Sequence, residues 1–287
     1  MSISPPHSAA APGNPASPTP PSVTGSGFSA LGRLVPALAT VVLLIAAWQV
    51  YVEISGIRPQ LLPSPLRVLE QGWAHRDEIT VHAGATLQVT ATGFALSLSL
   101  AWVLAVVVDF SPWLRRAFVP LFVASQTLPI IAIAPLMVIW FGFGLLPKVL
   151  VVALVTFFPM AIGLIEGFAA ADRDAGALLR SMGASRAQVF RYVRLPSAIP
   201  RFFTALRIGI TYAVVGAVFA EYVGARQGLG IYMSLQKNSF RTDLVLAAVF
   251  VTALISIALY LLTFAVERIV APWSRTEDRS GRDRPAR

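Results

Sequence analysis

The sequence predicts an all-α, polytopic integral membrane protein with about six transmembrane helices. Three observations carry that reading. The 287 residues are 56% hydrophobic and only 13% charged, with a mean hydropathy of +0.69, whereas an average soluble domain is about 25% charged. Charge-free runs long enough to span hydrocarbon recur along the chain. The basic residues also collect on alternate sides of those runs. A soluble fold cannot absorb this apolar excess without large exposed patches, so an ordinary soluble enzyme is excluded. With no cysteine, disulfide frameworks, Cys-containing zinc sites and Cys nucleophiles are excluded as well.

Residues 1–33 are rich in Pro, Ala and Ser and read as a disordered cytoplasmic tail. They lack the basic start of a signal peptide, so the first span, 34–52, is expected to be retained. An external loop, 53–78, follows. Within it Ser64 precedes Pro65, a helix-start signal, and Leu66, Val68, Leu69 and Trp73 suit a short helix lying on the membrane. Further spans are expected at Ile79–Val108, Ala117–Pro147, Val149–Ile165, Phe202–Val223 and Leu244–Val266. The fifth contains Arg207 and Glu221 near its ends, where long side chains reach the headgroups. Residues 79–272 form one transmembrane domain, and 273–287 a charged cytoplasmic tail.

The chain carries 23 basic and 14 acidic residues, a net charge of +9 and a pI near 10.8. Placing both termini in the cytoplasm puts 16 of the 23 basic residues inside and 7 outside. This asymmetry is the one membrane proteins show, and it explains the pI without nucleic acid.

The only sizeable inside loop between spans is 166–201. Asp172 and Asp174 favour a helix start, and Leu178, Leu179 and Met182 make an apolar stripe. Gly183 suits a helix end at positive φ. Ser185 with Gln188 is a capping-box pattern. The second helix has Val189, Phe190 and Val193 on one side and Arg186, Arg191 and Arg194 on another, and Leu195-Pro196 is expected to stop it. Two readings stand at this point. One is a solvated loop whose arginines touch anionic lipid; the other is a docking knob for a cytoplasmic partner.

Gly183, followed after nine residues by Val193-Arg194-Leu195-Pro196, resembles the EAA loop of binding-protein-dependent ABC importer permeases. That loop reads Glu-Ala-Ala, three residues, Gly, nine residues, Ile, any residue, Leu-Pro. Here Val193 replaces Ile, and Ala177-Leu178-Leu179 stands where Glu-Ala-Ala is expected. The resemblance runs over about residues 60–272. Leu62-Pro63-Ser64-Pro65, Gln126-Thr127-Leu128-Pro129, Ala134-Pro135-Leu136, Trp140-Phe141-Gly142, Arg180-Ser181-Met182-Gly183-Ala184-Ser185 and Gly228-Leu229-Gly230 are similar to permeases for sulfonates, taurine and nitrate. Residues 130–148 most resemble members for the pyrimidine precursor of thiamine or for riboflavin.

The resemblance implies a type I importer permease fold in a bacterial inner membrane. It implies two permease chains, as a homodimer, around a path, two cytoplasmic ABC ATPase subunits, and a solute-binding protein outside. The ATPase-coupling residues would be Leu178, Leu179, Gly183, Ala184, Ser185, Arg186, Val193, Leu195 and Pro196. ATP and Mg²⁺ would sit on the ATPase. A Walker A loop needs Gly-Lys followed by Ser or Thr. The only lysines, Lys148 and Lys237, follow Pro147 and Gln236, so this chain is expected to be no enzyme and to hold no cofactor.

Polar groups in hydrocarbon face protein or a cavity. Gln126, Thr127 and Pro129 are expected to line a path, since nearby prolines free backbone carbonyls. Thr86 with Thr90, and Gln88 with Thr92, share helix faces and suit either a path or helix–helix hydrogen bonds. Glu221, also assigned to the path, meets the binding protein or pairs with Arg226. Asp109 and Glu166 read as anchors beside arginines. His7, His75 and His82 have no metal-ligand spacing, and no residues are placed for catalysis. An ion-coupled carrier or a non-transporting scaffold competes with the importer; the former needs mid-membrane titratable groups that the spans scarcely offer.

Overall fold

A chain in hydrocarbon must satisfy its own backbone hydrogen bonds, and the computed structural model does so with helices. It describes residues 30–127 and 129–272; most of the expected N-terminal tail and all but the start of the expected C-terminal tail lie outside them. The first helix, α1 (Ala30–Ser55), begins inside the stretch expected to be tail. From Val35 to Ala47 every residue is exposed, and a helix that is apolar all round fits a lipid surround.

From Trp48 onward the chain forms a second compact unit. Ser64 accepts from the Arg67 amide at 3.3 Å and starts α2 (Pro65–Ala74) with Pro65 in its first turn. Val68 is buried, while Leu66, Leu69 and Trp73 are exposed. Then come α3 (Arg76–Phe110), α4 (Pro112–Ser125), α5 (Ile130–Phe141) and α6 (Leu145–Ala169). The hairpin helices α7 (Arg173–Ser181) and α8 (Arg186–Val189) lead through a π turn, Phe190–Arg194, into α9 (Leu195–Gly224). Last are α10 (Leu229–Asn238) and α11 (Thr242–Val270).

Five helical runs are long and apolar enough to cross a membrane: α1, α3, α6, the run Arg186–Gly224, and α11. The run expected as the third span is different. It is divided between α4 and α5, with a break at Gln126–Pro129. Pro129 brings no amide to a helical ladder and stands as the N-cap of α5, so the apolar run is two helices rather than one. The opposite happens at Leu195-Pro196, expected to end a helix. The Leu195 amide reaches back to the Phe190 carbonyl. This wide π turn makes room for the proline ring, and the chain stays helical through Gly224.

The core is α3, α6 and α9, drawn together by small residues, as membrane helices generally are. A Cβ on Gly167 would stand 2.9 Å from the Ala198 Cα, and one on Gly163 would collide with the Ala205 methyl. Aromatic rings fill the end nearest the hairpin, where Trp102 lies edge-on to Phe168 and Phe202. A second cluster, around Val68, Ile79, Leu229, Tyr232 and Leu244, packs α2, α3, α10 and α11 at the other end.

Candidate functional site

The hairpin is built by its caps. Asp172 accepts from the Asp174 amide at 2.8 Å and starts α7. Gly183, at φ +86°, turns the chain out of that helix, and the Ala184 amide bonds the Leu179 carbonyl at 3.0 Å. Ser185 and Gln188 form the reciprocal capping box. Gly176 lies against Val189, closing α7 on α8. At the tip Leu178 and Met182 are 62% and 75% exposed. Leu179, Gly183, Ala184, Ser185 and Arg186 gather there. Val193, Leu195 and Pro196 instead sit half-buried at the root, where the chain becomes α9. Arg194 donates to Asp109 at 2.7 Å and ties this root to the end of α3.

The broken helix opens a groove. Ser125 and Gln126, with Phe158 and Pro159 of α6 and Tyr212 of α9, line a cleft of about 290 Å³. A neighbouring cleft of about 530 Å³ shares Gln126, Pro159 and Tyr212 and continues to Glu166, Arg201 and Thr204. Of the residues expected on a path, only Gln126 lines these clefts. Thr127 and Pro129 are exposed beside it, and the Thr127 hydroxyl donates to the Ala124 carbonyl at 2.7 Å. Arg201, Thr204 and Tyr212 were missed by sequence reasoning. Their spacing, with Ile208 between, is one helical stripe, and that period was the available signal.

Glu221 lies elsewhere. It is fully buried, accepting from Thr86 at 2.9 Å and from the Gly230 amide at 3.0 Å. It therefore pairs with neither Arg226 nor anything outside. The Leu229 amide donates to the Thr86 hydroxyl and the Gly228 amide to His82 Nδ1. Three side chains from α3 and α9 thus satisfy amides at the start of α10, which otherwise lack helical partners. A Cβ on Gly228 would overlap the Glu221 carboxylate. Thr86 and Thr90 are buried and serve helix packing, while Gln88 and Thr92 are exposed. On the buried side of α10, burial pushes the Tyr232 phenol up to about 12, so it stays protonated.

A bundle of apolar helices with an exposed hairpin and a groove at a broken helix has the architecture of a membrane permease. Residues 93–276 match the family model for the inner membrane component of binding-protein-dependent transport systems, and the chain belongs to that family. It is 34% identical to a formylaminopyrimidine transport permease protein of Halalkalibacterium halodurans, over 82% of this chain and 94% of that one. It is 36% identical to a riboflavin transport system permease protein of Chloroflexus aurantiacus, covering 83% and 91%. It is 31% identical to the taurine transport system permease protein of Escherichia coli, covering 83% and 89%. The fold is that of the permease chain in the inward-facing MetNI methionine ABC transporter, with a TM-score of 0.57 and 21% identity over 69% of this chain and 96% of that one. The chain is thus a multi-pass permease subunit of an ABC importer, a class that works with separate ATPase and binding-protein partners.

Proposed function

We propose that the hairpin around Gly183 is the handle by which an ABC ATPase drives this permease. The groove at Gln126 and Tyr212 is then part of the path for solute. One observation supports both: the helical run Arg186–Gly224 is unbroken. It begins at the hairpin and carries Arg201, Thr204 and Tyr212 along the groove. A push on the tip is therefore delivered to the path as movement of one stiff rod. Packed helices have discrete arrangements rather than continuous ones, so such a push switches the path between states.

In this reading both termini are cytoplasmic in a bacterial inner membrane. A second copy of the chain completes the path, and a solute-binding protein delivers a small organic solute of the sulfonate, taurine, nitrate, thiamine-precursor or riboflavin type. ATP and Mg²⁺ are held by the ATPase, and this chain contributes no catalytic group.

The test is transport by the reconstituted complex. Gly183→Asp, or deletion of 184–186, is expected to leave the protein inserted while ATP-driven uptake falls to background. Uptake at the normal rate by such a variant would refute the coupling assignment. Ligand binding by the cognate binding protein, with uptake competition among taurine, an alkanesulfonate, riboflavin and a formylaminopyrimidine, would fix the solute.

A further inference from the structure

Two adjoining cavities lie between the root of the hairpin and the α3–α4 corner, of about 310 and 330 Å³. Both are lined by Asp109, Arg180, Val189 and Arg194; one adds Arg186 and the other Arg115 and Arg173. Five arginines therefore face two aspartates, since Asp172 is the remaining acidic side chain there. Both aspartates are already engaged. Asp109 holds Arg194, and Asp172 caps α7. Arg115, Arg173 and Arg186 have no ion pair among the described residues. The cavity thus keeps a net positive charge without an internal counter-ion.

Its other walls are apolar. Phe110, Pro112 and Phe190 line the first cavity. Next to Pro112 stands Trp113, 74% exposed, a residue type that settles at headgroup depth. The tip residues Leu178, Met182, Gly183 and Ser185 line neither cavity, and of the residues assigned to the ATPase only Arg186 and Val193 reach this surface.

We infer that this cavity binds the phosphate-bearing headgroup of an anionic phospholipid of the inner leaflet. The guanidinium groups take the phosphate, by geometry that suits arginine, and Phe110, Pro112 and Phe190 receive the apolar part of the lipid. A lipid here wedges between the α3–α4 corner and the hairpin root, bracing the lever against the bundle. The inference rests on the reading that this face is cytoplasmic.

The importer complex, permease with its ATPase, is placed in phosphatidylcholine nanodiscs containing phosphatidylglycerol, and bound lipid is measured by native mass spectrometry. Phosphatidylglycerol is expected to be retained over phosphatidylcholine. In Arg115→Gln/Arg173→Gln that preference falls about thirtyfold, as loss of two basic groups at a membrane surface implies. Arg226→Gln, just beyond the far end of α9, leaves it intact, and Arg173→Gln alone gives a partial loss should the double variant fold poorly. Equal retention of the two lipids overturns the inference, as does an undiminished preference in a folded variant. Displacement by millimolar inorganic phosphate would mean a soluble-anion site, and retention only after ATPase removal would assign the arginines to the ATPase. A single cysteine at Ser181, labelled only from outside the cell, would sink the orientation itself rather than the lipid preference alone.

Discussion

Glu221 shows how one side chain fixes a neighbouring element. Its carboxylate supplies a cap that α10 does not carry itself, so polarity in the span is structural here. Glu221→Gln keeps an oxygen for Thr86 and the Gly230 amide, and is expected to preserve thermal stability of the purified protein. Glu221→Ala leaves the Gly230 amide buried without its acceptor, at a cost of about 1–3 kcal/mol, while the Thr86 hydroxyl falls back on the His82 carbonyl at 3.2 Å; it should lower the melting temperature. Equal melting of the two variants would remove this role. Gly230 and Gly183 are a second contrast. A Cβ at Gly230 would strike the Val218 carbonyl, whereas one at Gly183 meets nothing within 4 Å. Gly230→Ala should therefore destabilise the whole protein, by about 1–3 kcal/mol as overpacking does. Gly183→Ala strains only its own turn, since φ is +86°, by about 1–2 kcal/mol. Hydrogen exchange separates them: global loss of protection in the first, loss confined to the hairpin in the second.

Two proline-bearing segments have opposite outcomes at the scale of the element. Around Pro129 the helix breaks and a groove forms; around Pro196 a π turn absorbs the ring and the helix goes on. The difference is what surrounds them. The root at Pro196 is held by Arg194 on Asp109 and by Phe190 against Phe110 and Phe168, and these contacts favour continuity. Asp109→Asn removes the charge from that tie. It is expected to loosen the hairpin against α3 and to reduce uptake per ATP hydrolysed while insertion stays normal. Unchanged coupling would show that the pair is ornamental to the lever. The chain has no cysteine, which makes single-cysteine probes clean. A cysteine at Gln126 or Tyr212 is expected to react with a water-soluble maleimide, and one at Ala213 on the buried side of α9 is not. Equal reactivity would show that the groove is no aqueous path.

At the scale of the molecule, the exposed stripe of α9 and the clefts beside it are the faces that a second copy would cover under the proposed function. Under the proposed homodimer, cysteine pairs introduced along that stripe should cross-link between copies in the membrane. Persistent monomer in native mass spectra of the purified complex would count against the homodimer.

Much of this was legible in the order of residues. Hydropathy located five of the spans, because burial in hydrocarbon depends on composition over a window rather than on any partner. The Gly183 turn and the Ser185–Gln188 box were legible too, since caps are local geometry closed within a few residues. The divided third span, the helix that runs through Pro196, the union of Glu221 with Thr86 and Gly230, and the groove shared by Gln126 and Tyr212 were decided by tertiary structure. Each depends on residues far apart in the chain meeting across packed helices, and no short-range pattern records which distant neighbour a side chain will find.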